Sequence, residues 1–307
     1  MKIMSHIRRV SDIASEEGII EAGMTVQREF TGNLRYQFLR WRQSKGYYAR
    51  DVQGSKMYLA IDDPGVSRDL IIRGMREREE TRMIQKTLKP GMTVIDIGSN
   101  IGYYAMMEAR AVTETGHVYA IEPEPRNVEL LHRNVKLNGY HHVDVFQAGV
   151  SDETGIAKLY VSKHSNLHNL LRPLHAKNEG SVVSIKVFCL DDFIEEQNIN
   201  PSDISFIRMD IEGYEVKALS GMQKILRMAR SLNLFIEFHP RYIEGITHYS
   251  LESTMDFLAS LGFRIRYANA TAKNGYSIKF QNITIKDFLT DKRVSRNNVF
   301  MTFLTNF

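Results

Sequence analysis

The sequence predicts a doubly wound α/β fold on a seven-stranded, mostly parallel sheet, with a mainly helical N-terminal extension. Three observations carry this. The apolar run Thr93-Val94-Ile95-Asp96-Ile97 passes directly into Gly98-Ser99-Asn100-Ile101-Gly102 and then into helix-forming residues, the pattern of a buried parallel strand, a tight turn and a helix start that presents backbone N–H groups to a ligand. Short apolar runs and amphipathic stretches then alternate along the chain with brief links, as in a doubly wound sheet. The next run, Gly116 to Ile121, ends in an acid, Glu122, roughly 25 residues past the turn, where such sheets hold a ribose.

The 307 residues are 43% apolar and 25% charged, enough for a domain of about 220 residues plus an extension. No apolar segment reaches membrane-spanning length, and the first residues lack the continuous apolar core of a secretory signal. Cys189 is the single cysteine. No disulfide can close within the chain, which suits a cytoplasmic location.

The formal excess of +4 lies in roughly the first 60 residues, so residues 1–60 are expected to form a basic helical extension and hairpin, and 61–307 the α/β domain. Phe30, Leu34, Phe38 and Trp41 recur at helical spacing, with Arg28, Arg35, Arg40, Arg42 and Lys45 over much of the remaining surface. The expectation is that the aromatic face packs on the domain and the arginines are solvated. Peripheral contact with an anionic membrane is the alternative. Gly46 to Arg50 and Lys56 to Ala60 read as a hairpin around Gln53-Gly54-Ser55.

Asp63-Pro64-Gly65 marks a turn, and Val66 to Leu88 reads as one helix stopped by Pro90-Gly91. Beyond Glu122, Pro125 and Gly139 bracket a helix with Val128, Leu131 and Val135 on its inner face. Val143 to Phe146 is the third strand. The alternation then breaks. Gly155 to Ser162 and Val182 to Phe188 read as strands of an insertion at about 155–190, expected over the mouth of the site, and the loop between them carries His164, His168 and His175. Without a nearby cysteine or H-x-x-x-H spacing, these are read as loop histidines facing substrate or solvent rather than zinc ligands. Ile204 to Asp210 and Leu234 to His239 are the fourth and fifth strands, and Arg264 to Tyr267 and Val299 to Leu304 complete the seven. Apolar stripes at Val216, Leu219, Ile225 and Leu226, and at Leu251, Met255 and Leu258 before Gly262, mark the helices between them.

A dinucleotide fingerprint would need glycines where the chain has Asn100 and Tyr103, so a pyrophosphate could not lie flush on this turn and NAD is disfavoured. Gly98 would let backbone approach the ligand, Asn100 tolerates a positive φ, and Gly102 would let the helix pack on the strand. The form D-x-G-x-N-x-G resembles motif I of class I S-adenosylmethionine-dependent methyltransferases. That likeness implies S-adenosylmethionine as cofactor, bound by Asp96, Gly98, Ser99, Asn100, Gly102, Glu122, Pro123 and Gly149. Together with Asp63 to Arg68, Gly74-Met75-Arg76-Glu77, Leu190-Asp191-Asp192, Met209 to Glu215 and Glu237-Phe238-His239, the turn resembles the FkbM-type methyltransferase family from roughly Gly46 onward. The D-x-E-G-x-E segment is its most particular mark. The resemblance implies methyl transfer to a hydroxyl of a sugar, glycan or glycosylated or polyketide-like small molecule. The basic extension lies outside the pattern and inherits no role.

The residues themselves favour an oxygen acceptor. Enzymes that methylate exocyclic amines of bases often close the fourth strand with Asp/Asn-Pro-Pro-aromatic, whereas here it closes with Asp210-Ile211-Glu212-Gly213. An alcohol must be held in line with the methyl group and lose its proton to a base or as a metal-bound alkoxide. Asp210, Glu212, Glu237 and His239, at the carboxyl ends of adjacent strands, are the candidate catalytic groups. Local alternatives are helix capping for Asp210 and Glu212 and an arginine partner for Glu237. General-base catalysis by Asp210, with His239 orienting the acceptor, is the expected route. A divalent metal on Asp210, Glu237 and His239 is disfavoured, because Glu237 and His239 share a side only if the strand runs through both. An RNA-directed methyltransferase rests only on the basic extension and a pI near 9, so nucleic acid is disfavoured as a partner. A non-catalytic adenosine-ligand-binding protein would not need all four strand-end groups. No motif sets the acceptor's identity or the oligomeric state.

Overall fold

The computed structural model describes residues 19–171, 181–243, 250–271, 277–292 and 299–307. The chain forms two compact units, Met1–Arg82 and Met83–Phe307, with the division past the residue-60 boundary read from the sequence. In the first unit, helix α1 (Ile19–Arg42) is followed by strands β1 (Tyr47–Val52) and β2 (Ser55–Ala60) and helix α2 (Val66–Arg73). The strands pair antiparallel, with Tyr47 opposite Ala60 and Val52 opposite Ser55. Gln53 and Gly54 both take positive φ, 53° and 84°, as a two-residue hairpin turn of this handedness requires. Because α2 packs on α1 and β2, it belongs to this unit.

Two expectations are corrected here. The single helix from Val66 to Leu88 is two, α2 and α3 (Arg78–Thr87). Gly74 ends α2 in a left-handed cap, its N–H donating to the Leu70 carbonyl at 2.9 Å, while Arg50 of β1 donates to the Leu70 and Ile71 carbonyls at 2.7 and 2.6 Å. Within the first unit the packed face of α1 is also not its aromatic one, and Phe30, Leu34, Phe38 and Trp41 are each more than half exposed. The buried side carries Glu29, Gly32 and Tyr36. A Cβ on Gly32 would lie 2.1 Å from the Ile72 carbonyl oxygen, an approach of helix backbones that a large side chain would prevent. Glu29 beside it accepts from Arg73 Nε at 2.9 Å.

The second unit opens with β3 (Thr93–Ile97), α4 (Tyr103–Val112), β4 (His117–Ile121), α5 (Pro125–Asn138) and β5 (Val143–Phe146). The insertion follows as β6 (Gly149–Ser151), β7 (Gly155–Tyr160) and β8 (Val182–Cys189), then α6 (Leu190–Glu196). Next come β9 (Ile204–Met209), α7 (Glu215–Ser220), α8 (Gln223–Met228), β10 (Asn233–Phe238) and α9 (Pro240–Ile243). The chain continues through α10 (Leu251–Ser260), β11 (Arg264–Thr271), β12 (Ser277–Ile283), α11 (Ile285–Thr290) and β13 (Phe300–Thr305).

The main sheet has the order β12-β11-β13-β10-β9-β3-β4-β5. It contains the seven expected strands and one more, β12, antiparallel to β11 at the edge. Strand β3 is parallel to both β4 and β9, and β10 and β5 continue in parallel outward. The chain therefore winds away from β3 in opposite directions, and the carboxyl ends of β3, β4, β9 and β10 flank the reversal, where doubly wound sheets bind ligands. Ile95, Ile97, Ile207, Met209, Leu234 and Ile236 are buried at the sheet centre, each contributing roughly 1.5–3 kcal/mol. The insertion makes a separate sheet, β6-β8-β7. Among the described residues no helix is long and apolar enough to cross a membrane.

Candidate active site

The chain leaves β3 through Gly98, Asn100 and Gly102, all with positive φ (82°, 51° and 93°), and enters α4. The N–H groups of Gly98 and Ser99 donate to the Ile121 carbonyl at 2.9 and 3.1 Å, which fixes the turn to the end of β4. The next residue there is Glu122, 4% exposed. Its Oε2 accepts the Asn100 N–H at 2.8 Å, and its Oε1 accepts the Glu124 N–H at 3.0 Å and the Asn127 amide at 3.2 Å. A carboxylate has about four acceptor positions, so these donors leave room for one ligand hydroxyl. Burial raises Glu122 to about 7, against the lowering effect of the three hydrogen bonds. Pro123 is half-buried beside it. Gly149 begins β6, with Leu170 and Val187 against it.

The two glycines of the turn also admit close protein neighbours. A Cβ on Gly98 would lie 2.2 Å from the Asp210 carbonyl oxygen, so this position brings the turn against the end of β9. On Gly102 it would meet Leu131 of α5 at 2.6 Å, so the close approach is helix to helix rather than helix to strand.

Asp96 is fully buried beneath the turn and stands opposite Arg208 of β9 in the parallel ladder. Arg208 Nη1 donates to Asp96 Oδ1 at 3.1 Å and to the Gly98 carbonyl at 3.3 Å, and its Nη2 donates to Asp210 Oδ2 at 3.2 Å. The guanidinium lies 4.1 Å from the Tyr104 ring centre. Burial raises Asp96 although Arg208 opposes it. Glu108 of α4, also fully buried, is held well above the usual carboxylate range by burial and then by the charge of Asp96. Sequence reasoning misses Arg208. Its signal was a lone charge in the otherwise apolar run from Phe206 to Met209, where burial demands a partner.

On the far side of Arg208, β9 ends at Met209 and β10 at Phe238, so Asp210 and His239 each begin the segment that follows. Glu212 sits at φ 55°. Ligand atoms of Asp210, Glu212 and His239 lie within 4.8 Å of one another. His239 Nδ1 is 2.9 Å from Oε1 of the fully buried Glu215, and Nε2 is 3.4 Å from Glu212 Oε2. Burial alone would lower the imidazole, but the Glu215 hydrogen bond and the charges of Glu215, Glu212 and Asp210 outweigh it and raise His239 to about 10. Asp210 Oδ1 is buried without a hydrogen-bond partner.

Glu237 does not join this group. The strand stops before His239, so regular alternation no longer ties the two residues, and Glu212 replaces Glu237 in the metal-ligand set read from the sequence. Glu215 stood in the D-x-E-G-x-E segment with no role assigned.

The insertion reaches both sides. The Ser165 carbonyl accepts from Asn100 Nδ2 at 2.6 Å and from Asn127 Nδ2 at 3.4 Å. Asn169, 4% exposed, donates to the Glu212 carbonyl at 2.6 Å. His168 Nδ1 accepts the Ser162 N–H within its own loop at 3.0 Å, His164 is exposed, and His175 lies outside the described residues.

The Methyltransferase FkbM domain matches residues 96–265, more than half of the chain. The chain is 26% identical over 172 residues to the hexuronic acid methyltransferase AglP of Haloferax volcanii, a match covering 55% of this chain and 65% of that protein. It is 38% identical over 58 residues to a protein-L-isoaspartate O-methyltransferase of Methanothrix thermoacetophila, covering 19% of this chain and 28% of that one. Less than two thirds of either relative's length is spanned. Among solved structures, a SAM-dependent methyltransferase from Aquifex aeolicus aligns at TM-score 0.40 and 17% identity over 80% of this chain and 95% of that chain.

Proposed function

Because the chain belongs to the FkbM family of methyltransferases, we propose that it is an S-adenosylmethionine-dependent O-methyltransferase acting on a hydroxyl of a sugar, a glycan or a glycosylated small molecule. The observation that carries this reading is Glu122: buried, fixed by the turn, and with acceptor capacity for a ribose hydroxyl. The turn would hold the cofactor through backbone, and Gly98 sets it directly against Asp210. In the reaction, the acceptor oxygen attacks the methyl carbon and the carbon–sulfur bond breaks. Its electron pair goes to sulfur, giving S-adenosylhomocysteine, and the hydroxyl proton leaves at the strand ends that carry Asp210, Glu212 and His239. The relative named as a hexuronic acid methyltransferase supports a sugar acceptor.

Isothermal titration with S-adenosylmethionine, S-adenosylhomocysteine and NAD tests the cofactor, and binding of NAD alone would sink the reading. Transfer of labelled methyl from S-adenosylmethionine to hexuronic acid glycosides and neutral hexosides tests the acceptor. An alkali-stable methyl ether is expected. An alkali-labile ester as the product would move the acceptor from hydroxyl to carboxylate.

A further inference from the structure

We propose that Asp210, Glu212 and His239 form a divalent-cation site of the magnesium or manganese class, with Glu215 positioning the imidazole. Two carboxylates and one imidazole reach this point from the ends of two adjacent strands, with ligand atoms within 4.8 Å of one another. Bonds of about 2.0–2.4 Å to a shared ion would need little closure from this spacing. Asp210 Oδ1 is buried with no partner, a costly state for a carboxylate oxygen unless a ligand completes it. Glu215 Oε1 lies 2.9 Å from His239 Nδ1, which leaves Nε2 on the side of Glu212. A carboxylate on one ring nitrogen is the usual means of aiming the other at a metal. Asp210, Glu212 and Glu215 bring three carboxylates to this end of the sheet, and Arg208 is shared with Asp96. Oxygen-rich donors with one imidazole favour magnesium or manganese and leave positions open for a hydroxyl. A bound cation would take the acceptor hydroxyl oxygen and acidify it, its proton passing to water before the oxygen attacks the methyl carbon.

This inference rests on the acceptor-edge reading above, and the experiment separates the two. Chelator-treated full-length protein saturated with S-adenosylhomocysteine is titrated with Mn²⁺ and followed by electron paramagnetic resonance and calorimetry. One site is expected. Asp210→Asn and Glu212→Gln should each weaken Mn²⁺ binding about 10–100-fold, and Glu215→Gln by a similar factor through the lost orientation of His239. Thermal unfolding identifies any variant that fails to fold, and S-adenosylhomocysteine affinity should stay within about twofold across the folded variants. Wild-type protein that binds S-adenosylhomocysteine but no Mn²⁺ or Mg²⁺, and transfers methyl equally well after chelation, overturns the metal site and leaves the methyltransferase reading intact. Failure to bind S-adenosylhomocysteine strikes that reading instead.

A different observation carries a second inference, that α1 lies on an anionic lipid surface. Its packed residues Glu29, Gly32 and Tyr36 fall on one side. On the opposite side Ile20, Met24, Phe30, Leu34, Phe38 and Trp41 are exposed, Ile20 and Trp41 at 82%. Arg28, Arg35 and Arg42, also exposed, recur every seventh residue along one margin of that stripe. Aromatic and aliphatic side chains bordered by arginine match the acyl boundary and anionic headgroups of a membrane surface. In flotation with vesicles, full-length protein should bind phosphatidylglycerol-containing membranes and not pure phosphatidylcholine. Phe38→Ser with Trp41→Ser should cut binding at least about tenfold, with thermal unfolding unchanged because both side chains point away from the packed face. Absence of vesicle binding, or a solution dimer that the same double substitution dissociates, would overturn it.

Discussion

The two halves of the crevice are built differently. The side proposed to hold the cofactor is built of backbone: a contiguous turn, Gly98 to Gly102, pinned to the end of β4 and to one carboxylate, Glu122. The side proposed to take the acceptor is built of side chains from separate segments, with Asp210, Glu212 and Glu215 after β9, His239 after β10 and Asn169 from the insertion. A backbone site tolerates little change in chain path, whereas a side-chain site can lose a chemical group and keep its shape. Substitutions on the two sides should therefore fail in different ways.

The largest effect is expected at the seam. Gly98→Ala places a Cβ 2.2 Å from the Asp210 carbonyl oxygen at a φ of 82°, combining a left-handed strain of about 1–2 kcal/mol with an overpacking cost of about 1–3 kcal/mol. Urea unfolding should show a loss of about 3 kcal/mol or more, with S-adenosylmethionine binding lost in parallel. A folded variant with normal affinity would mean that the two sides are not joined through this backbone contact. Asp210→Asn tests the acceptor side alone: kcat should fall about 10²-fold or more while S-adenosylmethionine affinity stays within about twofold. If affinity falls as far as turnover, the separation between the two sides is wrong.

Glu122 tests the cofactor side. Glu122→Ala should weaken S-adenosylmethionine by about 1.5–3 kcal/mol, toward the upper end because the Asn100 N–H of the turn is released along with the ribose acceptor. Burial holds the Glu122 proton up to about pH 7. The ionised form is the better acceptor of ribose hydroxyls, so affinity should be level above that pH and fall below it, by up to about tenfold per unit, until the bound form also protonates. Calorimetry across this range should show the slope in wild type and little of it in Glu122→Gln. A wild-type profile that is flat from pH 5 to 8 would remove Glu122 from the ribose site.

The same contrast explains what could be read from the chain. The turn and Glu122 are neighbours in a repeating strand–helix pattern, so a local motif located them, and Asn100 takes the positive φ its residue type allows. The central strands β3, β9 and β10 follow from mostly apolar runs buried on both faces. Strand β12 escaped notice because Ser277 to Ile283 is an edge strand with mixed polar character. Arg208 and Glu215 escaped because their roles depend on register and on a neighbouring segment, which no spacing within one segment reveals. The Phe30 to Trp41 stripe shows the converse. Helical periodicity identified an apolar face correctly, but the close packing made possible by Gly32 decided which face would be buried.

The smallest expected effect concerns the insertion, which touches both sides through different residues: Ser165 at Asn100 and Asn169 at Glu212. Asn169 donates to the carbonyl of a residue held at φ 55°, so it helps to fix the backbone that aims the Glu212 carboxylate without itself meeting the substrate. Removing it should cost about 1 kcal/mol of stability, the usual net value of one such hydrogen bond. If the insertion serves the acceptor side locally, Asn169→Ala should raise acceptor KM or lower kcat about three- to tenfold, with S-adenosylmethionine affinity unchanged within twofold. The Ser165 contact offers no side chain to remove, so Asn100→Ala is the matching change on the other side, and it should weaken the cofactor more than the acceptor. Equal losses of cofactor affinity and turnover in both variants would show that the loop joins the two sides into one cooperative unit, and the division drawn between backbone-built and side-chain-built halves would have to be abandoned.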